Sequence, residues 1–298
     1  MKWDGNRESD NVEDRRGDDS GGGGGGGGFG FGGRSVGLGT IAVALVASYF
    51  FGINPMTVIS LLSGGGGSAP AVSVPHSPAK APPANDPATR FVRVVLADTE
   101  DVWGKLFAAQ NATYIKPKLD IFSGSIATSC GEGQSAAGPF YCPADQKVYI
   151  DLSFYRLMRE RFHVDGEFAQ AYVIAHEVGH HVQNLMGISG KVDAARRRAT
   201  PAQSNALSVR LELQADCFAG VWAYHANEAR GILEKGDVET ALNAATAIGD
   251  DALQRQAQGH VVPDSFTHGT SAQRVRWFKS GISSGKISEC DTFKAPSL

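Results

Sequence analysis

The chain has 298 residues and a formal net charge of -3, which argues against a general affinity for nucleic acids or other polyanions. Its length allows one large domain with appended segments. Glycine is abundant, at 37 residues, and two glycine tracts at 21–28 and 64–67 indicate linkers rather than a property of the fold.

The first 88 residues do not have the pattern of a globular domain. Residues 1–34 mix acidic and basic side chains, lack apolar periodicity and include polyglycine, so we expect a disordered tail. Residues 35–55 contain an uncharged apolar stretch at 36–53, long enough for a single transmembrane helix. Residues 56–88 are rich in Gly, Ser, Pro and Ala and predict a linker. Residues 89–298 would then be the folded domain.

The distribution of basic residues predicts the orientation of that anchor. The tail carries several Lys and Arg residues, whereas none follows the apolar stretch until Lys80. The positive-inside rule then places the N-terminus in the cytoplasm and the domain outside the cytoplasmic membrane, in the periplasm or extracellular space. The tail is too long and too acidic for a typical signal peptide, so we expect a single-pass anchor that is retained.

The remaining chain predicts an α+β domain, mostly helical with a small sheet. Alternating or apolar runs predict strands at 119–122 and 147–151. Apolar spacing predicts helices over 90–109, 152–162, 171–186 and 237–256, and another that begins with Thr200 as N-cap and Pro201 at the first position. A strand along a cleft can bind the backbone of an extended peptide, and we expect this sheet to do so.

The most informative motif is His176-Glu177-Val-Gly-His180. On a helix, positions four apart lie on one face, so both imidazoles could bind one ion. Two imidazoles suit Zn²⁺, and a catalytic zinc takes three protein ligands and leaves a position for water. Glu177 would be the general base that takes the proton of that water. The alternative is a solvated helix face that happens to carry these residues. His181 points elsewhere and is expected to pack or to support a ligand.

A third ligand must come from another part of the chain. The zincin class that places a third His six residues after the second is excluded, because Met186 occupies that position. Glu212 and Asp216 lie four apart among apolar residues, where carboxylates need partners. Glu212 would complete a His2Glu set, and Asp216 would accept the second ring N–H of a ligand, His176 being the expected one. Ordinary exposed acidic residues are the alternative.

A late motif contains His268 and Arg274. Hydrolysis of an amide passes through an oxyanion, and either side chain could donate a hydrogen bond to it. The alternatives are a helix start capped by Thr270 or Ser271, and a structural ion pair for Arg274.

Four cysteines in an exported domain suggest two disulfides. Cys130 and Cys142 are the natural local pair, which leaves Cys217 with Cys290. Four cysteines permit three connectivities, and a second zinc site of cysteines is the remaining alternative.

Several stretches in one order resemble the bacterial family described as "Putative neutral zinc metallopeptidase", whose members have a single span and an exported zincin domain. The matching stretches are 96–103, 138–143, 148–152, the HEVGHHVQ run from His176, 212–220 and 263–278. The resemblance implies a gluzincin-like fold with His176, His180 and Glu212 on zinc and Glu177 as base. The tail and linker lie outside this match.

The late His268 and Arg274 are also similar to the His…Arg element of membrane-associated gluzincins such as the prenyl-protein peptidases. We therefore expect a membrane-anchored zinc endopeptidase that acts on a peptide or protein. One alternative is a non-enzymatic envelope domain that binds peptides or proteins and has a structural or vestigial zinc site. Glu177 argues against it, because a structural site has no use for a base. A zinc-dependent amidase on cell-wall peptide would differ only in substrate.

Overall fold

The structure is a computed structural model that describes residues 1–17, 86–135 and 138–298. Residues 18–34 of the predicted tail, the predicted anchor at 35–55 and most of the predicted linker lie outside the described residues. Within the described ranges, no helix is long and apolar enough to cross a membrane.

The expectation of a disordered tail is wrong for residues 1–17, which pack in one compact unit with the main domain. Strand β1 (Val12–Asp14) pairs in parallel with β2 (Lys118–Phe122), and Val12 is buried opposite Leu119. Near the start of the chain, the amide of Lys2 donates to the carbonyl of Ile232. Arg7, Arg15 and Arg16 of this segment pair with carboxylates of the domain, which composition alone does not reveal.

A buried carboxylate, Glu100, binds much of this N-terminal segment. Its Oε1 accepts hydrogen bonds from Ser9 Oγ at 2.6 Å and Asn11 Nδ2 at 2.7 Å. Its Oε2 pairs with Arg7 Nη2 at 2.9 Å and Lys116 Nζ at 3.2 Å. Burial raises the pKa of Glu100, but these hydrogen bonds outweigh it and lower the pKa overall. We call Glu100 with these four partners the Glu100 cluster.

The main sheet has four strands, in which β1 and β2 are followed by two strands from residues 140–151. Strand β6 (Lys147–Asp151) is parallel to β2, and β5 (Phe140–Cys142) is antiparallel to β6 at the edge. The predicted strands at 119–122 and 147–151 are confirmed. A separate antiparallel hairpin joins β3 (Ser125–Thr128) and β4 (Gly131–Gln134), which the sequence analysis did not predict.

Helices make up most of the described chain, in agreement with the predicted α+β class. They are α1 (Pro87–Ala108), α2 (Ser153–Phe162), α3 (Glu167–Leu185), α4 (Ile188–Arg196), α5 (Pro201–Arg230), α6 (Asp237–Ala247), α7 (Asp250–Gln258) and α8 (Ser271–Ser284). Short 3-10 turns lie at Pro263–Ser265 and Ile287–Cys290. Thr200 and Thr270 begin α5 and α8 with capping boxes.

The single helix predicted over 237–256 is wrong, because the chain breaks between α6 and α7 at Gly249. Gly249 is extended, with φ -70° and ψ 142°. A Cβ at this position would overlap the backbone of Ser271. The start of α8 can therefore approach Gly249 closely. This break results from tertiary packing, which helical periodicity in the sequence does not indicate.

Close helix packing brings the later helices onto α5. A Cβ at Gly220 would overlap the carbonyl oxygen of Phe278 in α8, and one at Gly281 would overlap that of Cys217 in α5. On the other side, Gly179 of α3 lies against Ala215, whose carbonyl oxygen is 3.0 Å from the position of a Cβ. Glycine at these contacts thus allows α3, α5 and α8 to meet, and the candidate site lies among them.

Both predicted disulfides are present. Cys130 is bonded to Cys142 and Cys217 to Cys290, with Cα–Cα distances of 5.8 and 5.5 Å. All four cysteines of the chain are therefore bonded, which removes the alternative of a second zinc site of cysteines.

Candidate metal centre

Helix α3 carries the predicted motif at its buried face. His176 and Glu177 are 6% and 8% exposed, and the ring centroids of His176 and His180 are 4.8 Å apart. The spacing of four residues accounts for this proximity, since it places the two imidazoles one turn apart on the same face.

Helix α5 supplies the predicted third side chain. The carboxylate of Glu212 lies between the two histidines, with Oε2 at 3.1 Å from His176 Nε2 and Oε1 at 3.4 Å from His180 Nε2. One potential ligand atom from each of these three residues lies within 4.8 Å of the others. Residues from two helices, 32 or more positions apart in sequence, therefore converge on one point.

The geometry and the donor set fit zinc. Ligand distances of about 2.0–2.2 Å in a tetrahedral arrangement put neighbouring donor atoms about 3.3 Å apart. The observed nitrogen–oxygen distances of 3.1 and 3.4 Å lie on either side of that value. Two imidazoles with one carboxylate are a His2Glu set, which is characteristic of catalytic zinc with an open position. His176, His180 and Glu212 are thus a group that can hold a metal ion.

The electrostatics of the group favour a positive charge at its centre. Burial lowers the pKa of His180, but Glu212 outweighs it and raises the pKa overall. Burial raises the pKa of Glu212, but the two histidines bring it well below its usual value. Each partner therefore favours a cation, either a proton or a metal ion, between the imidazoles and the carboxylate.

Asp216 lies one turn along α5 and orients His176 as the sequence analysis predicts. Its Oδ1 is 2.8 Å from His176 Nδ1, and Tyr172 donates its hydroxyl to the same oxygen at 2.5 Å. Burial lowers the pKa of His176, yet Asp216 and Glu212 raise it to about 10. This contact leaves Nε2 of His176 directed at Glu212 and the candidate metal position.

Arg274 forms a two-point ion pair with Asp216. Its Nε lies 2.9 Å from Asp216 Oδ2 and its Nη2 lies 2.9 Å from Oδ1. The guanidinium is almost completely buried, and Nη2 also contacts the hydroxyl of Tyr172 at 3.4 Å. This geometry matches the structural ion pair considered from the sequence. Arg274 holds Asp216, while its contact with a reacting oxyanion stays a prediction.

His268 lies in the bend before α8, and about half of its side chain is buried. Its backbone amide donates to Asp250 Oδ2 at 2.6 Å, and its Nδ1 is 3.3 Å from Asp250 Oδ1. Burial lowers its pKa, but Asp250 and the charge of Glu212 raise it overall. The interaction with Glu212 places His268 within electrostatic reach of the metal ligands, and its catalytic role stays a prediction.

Glu177 differs from the other acidic residues of the site. Burial raises its pKa, and Glu212 adds to that effect, against the lowering influence of His176 and His180. Among the residues that the structure describes, none donates a hydrogen bond to the carboxylate of Glu177. A buried carboxylate with a raised pKa and free lone pairs is suited to accept a proton.

His181 is confirmed as a packing residue. Its Nδ1 lies 2.9 Å from the hydroxyl of Tyr141, and its Nε2 lies 2.6 Å from the carbonyl oxygen of Ile115. Both ring nitrogens are therefore engaged away from the metal position.

Comparison with known proteins matches residues 1–293 to the model of a single family, described as "Putative neutral zinc metallopeptidase". The chain belongs to this family. The match includes residues 1–17, so the expectation that the N-terminal segment lies outside the family resemblance is wrong.

Relatives of similar length occur in Escherichia coli and Mycobacterium tuberculosis. The chain is 54% identical over 293 residues to "Uncharacterized protein YpfJ" of Escherichia coli (strain K12), covering 98% of this chain and 99% of that protein. It is 41% identical over 225 residues to "Uncharacterized protein Rv2575" of Mycobacterium tuberculosis (strain ATCC 25618 / H37Rv), covering 71% and 74%. No solved structure matches the chain significantly.

Two residues that support the ligands were not predicted from the sequence. Tyr172 lies four positions before His176, on the same face of the helix, and donates to Asp216. Gln183 lies three positions after His180 and contacts it. Helical spacing from each histidine would have identified both as candidates.

Proposed function

We propose that the protein is a zinc-dependent endopeptidase. The observation that carries this proposal is the convergence of His176, His180 and Glu212 on one point. Next to them lies the carboxylate of Glu177, whose pKa is raised. Membership of the zinc metallopeptidase family supports it. The substrate class is a peptide or protein.

Each side chain has a distinct part in the proposed reaction. His176, His180 and Glu212 would hold the zinc ion, which when bound supplies a Lewis acid for the scissile carbonyl and lowers the pKa of a water molecule. Glu177 would take the proton from the attacking water and later deliver it to the leaving amine. Its raised pKa helps it to keep that proton between the two steps. Asp216, held by Arg274, keeps His176 in the orientation that binds metal.

A non-enzymatic binding domain with a structural zinc is the rival proposal. A closed structural site needs four protein ligands. The group found among the described residues has three members, and neighbouring His181 is bound to Tyr141 and Ile115. These contacts favour the open, catalytic arrangement.

The two proposals are separated by Glu177→Gln. The variant should keep about one zinc per chain and lose activity on a denatured protein substrate by at least about 100-fold, because the amide cannot take a proton. Glu160→Gln, on the exposed face of α2, is the matched control and should keep full activity. A wild type that binds zinc but hydrolyses neither protein nor peptide would favour the binding domain, whereas full activity in Glu177→Gln would exclude Glu177 as the base. Hydrolysis of cell-wall peptide but not of protein would favour the amidase.

The cellular location is a separate proposal. The two disulfides support a domain outside the cytoplasm, and the apolar stretch at 36–53 supports attachment to the cytoplasmic membrane. Opposite sides for the N-terminus and the domain conflict with the packing of residues 1–17, since β1 pairs with β2 and Arg16 Nη1 lies 2.6 Å from Asp86 Oδ2. We therefore place residues 1–17 and 86–298 on the same, non-cytoplasmic side of the membrane.

Cysteine labelling tests this placement. Asp10 and Lys294 have exposed side chains at the two ends of the described chain. In membrane vesicles of known orientation, a membrane-impermeant maleimide should label Asp10→Cys and Lys294→Cys from the same, non-cytoplasmic side. Labelling of the two positions from opposite sides would instead support a single-pass topology with a cytoplasmic N-terminus.

A further inference from the structure

His180 is oriented by an amide rather than by a carboxylate. Its Nδ1 lies 2.9 Å from Oε1 of Gln183, one turn further along α3. Gln183 is fully buried. His176, by contrast, faces the charged Asp216, so the two histidines of the motif have chemically different partners.

The contacts of Gln183 determine the direction of this hydrogen bond. Its Nε2 donates to the carbonyl oxygen of Leu211 at 2.7 Å and to Oε1 of Gln214 at 3.2 Å. A backbone carbonyl only accepts, so the nitrogen of the Gln183 amide must face Leu211 and the oxygen must face His180. His180 therefore donates from Nδ1 and keeps the lone pair of Nε2 for the metal position.

A second glutamine fixes the first. Gln214 of α5 donates from Nε2 to the carbonyl oxygen of Cys290 at 2.9 Å, so its own Oε1 faces Gln183. Cys290 is in turn tied to α5 through its disulfide with Cys217. Hydrogen bonds thus run in one direction, from His180 to Gln183, to Gln214 and to the Cys290 carbonyl. We call this series the amide relay.

We propose that Gln183 is a positioning residue that fixes the tautomer and ring orientation of His180 through the amide relay, and that it thereby sets the zinc affinity of the site. This inference rests on the proposed zinc site. The physical reason is that a ligand histidine binds metal through one nitrogen only when the proton is held on the other. Without the Gln183 oxygen, His180 can rotate or carry its proton on Nε2.

The test measures zinc affinity by competition with a chelator. Gln183→Met keeps the length of the side chain but has no acceptor, and we expect zinc binding to weaken about 10- to 100-fold. Gln183→Glu keeps an acceptor for His180 but cannot donate to the Leu211 carbonyl, so it should recover only part of that loss. Gln214→Met should have a smaller effect, because the Leu211 carbonyl still holds Gln183.

The matched control is Gln254→Met. Gln254 is also a buried glutamine, but its contacts are Ser265 and Val262 rather than a metal ligand. Circular dichroism should show that all variants are folded. In the chelator competition, Gln254→Met should bind zinc as tightly as the wild type. The proposed role of Gln183 would be overturned if Gln183→Met bound zinc with wild-type affinity, or if Gln254→Met lost as much zinc affinity as Gln183→Met. The zinc site itself fails separately, if wild-type protein binds no zinc.

Discussion

The Glu100 cluster and the metal centre both bury a carboxylate, but they differ in what surrounds it. Glu100 accepts hydrogen bonds from Ser9 and Asn11 and pairs with Arg7 and Lys116, so all four partners are donors. Glu212 faces the Nε2 atoms of two histidines whose Nδ1 atoms already face Asp216 and Gln183.

The kind of partner around each carboxylate distinguishes a structural site from a metal-binding site. In the Glu100 cluster, the protein supplies its own cations, so the group is complete. In the metal centre, oriented imidazoles and a carboxylate direct lone pairs at one point, and these repel one another unless a cation lies between them. A lowered pKa is common to Glu100 and Glu212, so this property alone does not identify a metal site.

The largest expected effect comes from removing residues 1–17. Glu100 would lose three of its four partners, and each hydrogen bond to a charged group contributes about 1.5–3 kcal/mol to the free energy of unfolding. Strand β2 would also lose its partner β1. Thermal unfolding should show a markedly less stable or unfolded domain.

The control for that deletion keeps residues 1–17 and joins them by a short linker to residues 86–298. This is feasible because Arg16 and Asp86 are already in contact. The joined protein should melt as the full chain does and bind zinc. Equal melting temperatures with and without residues 1–17 would show that the segment and its contacts with Glu100 are dispensable for stability.

A smaller effect is expected at the metal centre from Asp216→Asn. The amide is neutral and holds His176 and Arg274 less firmly, so zinc affinity should fall about 10- to 100-fold. Asp120→Asn provides the control, since Asp120 is an equally buried carboxylate paired with Lys147 and Arg15 in the sheet. That variant should lower stability and leave zinc affinity unchanged. Similar zinc affinities in the two variants would remove the distinction between structural and ligand-supporting carboxylates.

Local sequence patterns predicted the parts of the site that depend on local structure. His176, Glu177 and His180 follow from helical spacing, and Glu212 and Asp216 from the same spacing on a second helix. The helix begun by Thr200 and the strands at 119–122 and 147–151 also follow from local signals.

The parts that could not be predicted depend on partners distant in sequence. Residues 1–17 resemble a solvated charged tail, and their order comes from Glu100 and Asp120, about 90 to 105 positions away. The break at Gly249 depends on the approach of Ser271. The two-point contact of Arg274 with Asp216 spans 58 positions, so the sequence alone could not separate an ion pair from an oxyanion donor.

Zinc content of the purified full chain and of Glu212→Ala, measured by elemental analysis after dialysis, tests the central claim most directly. We expect about one zinc per chain in the wild type. Binding should be lost or sharply weakened in the variant, which retains only two of the three ligands. Zinc held at full affinity by Glu212→Ala would contradict the assigned ligand set. A well-folded wild type without affinity for zinc would contradict the proposed peptidase.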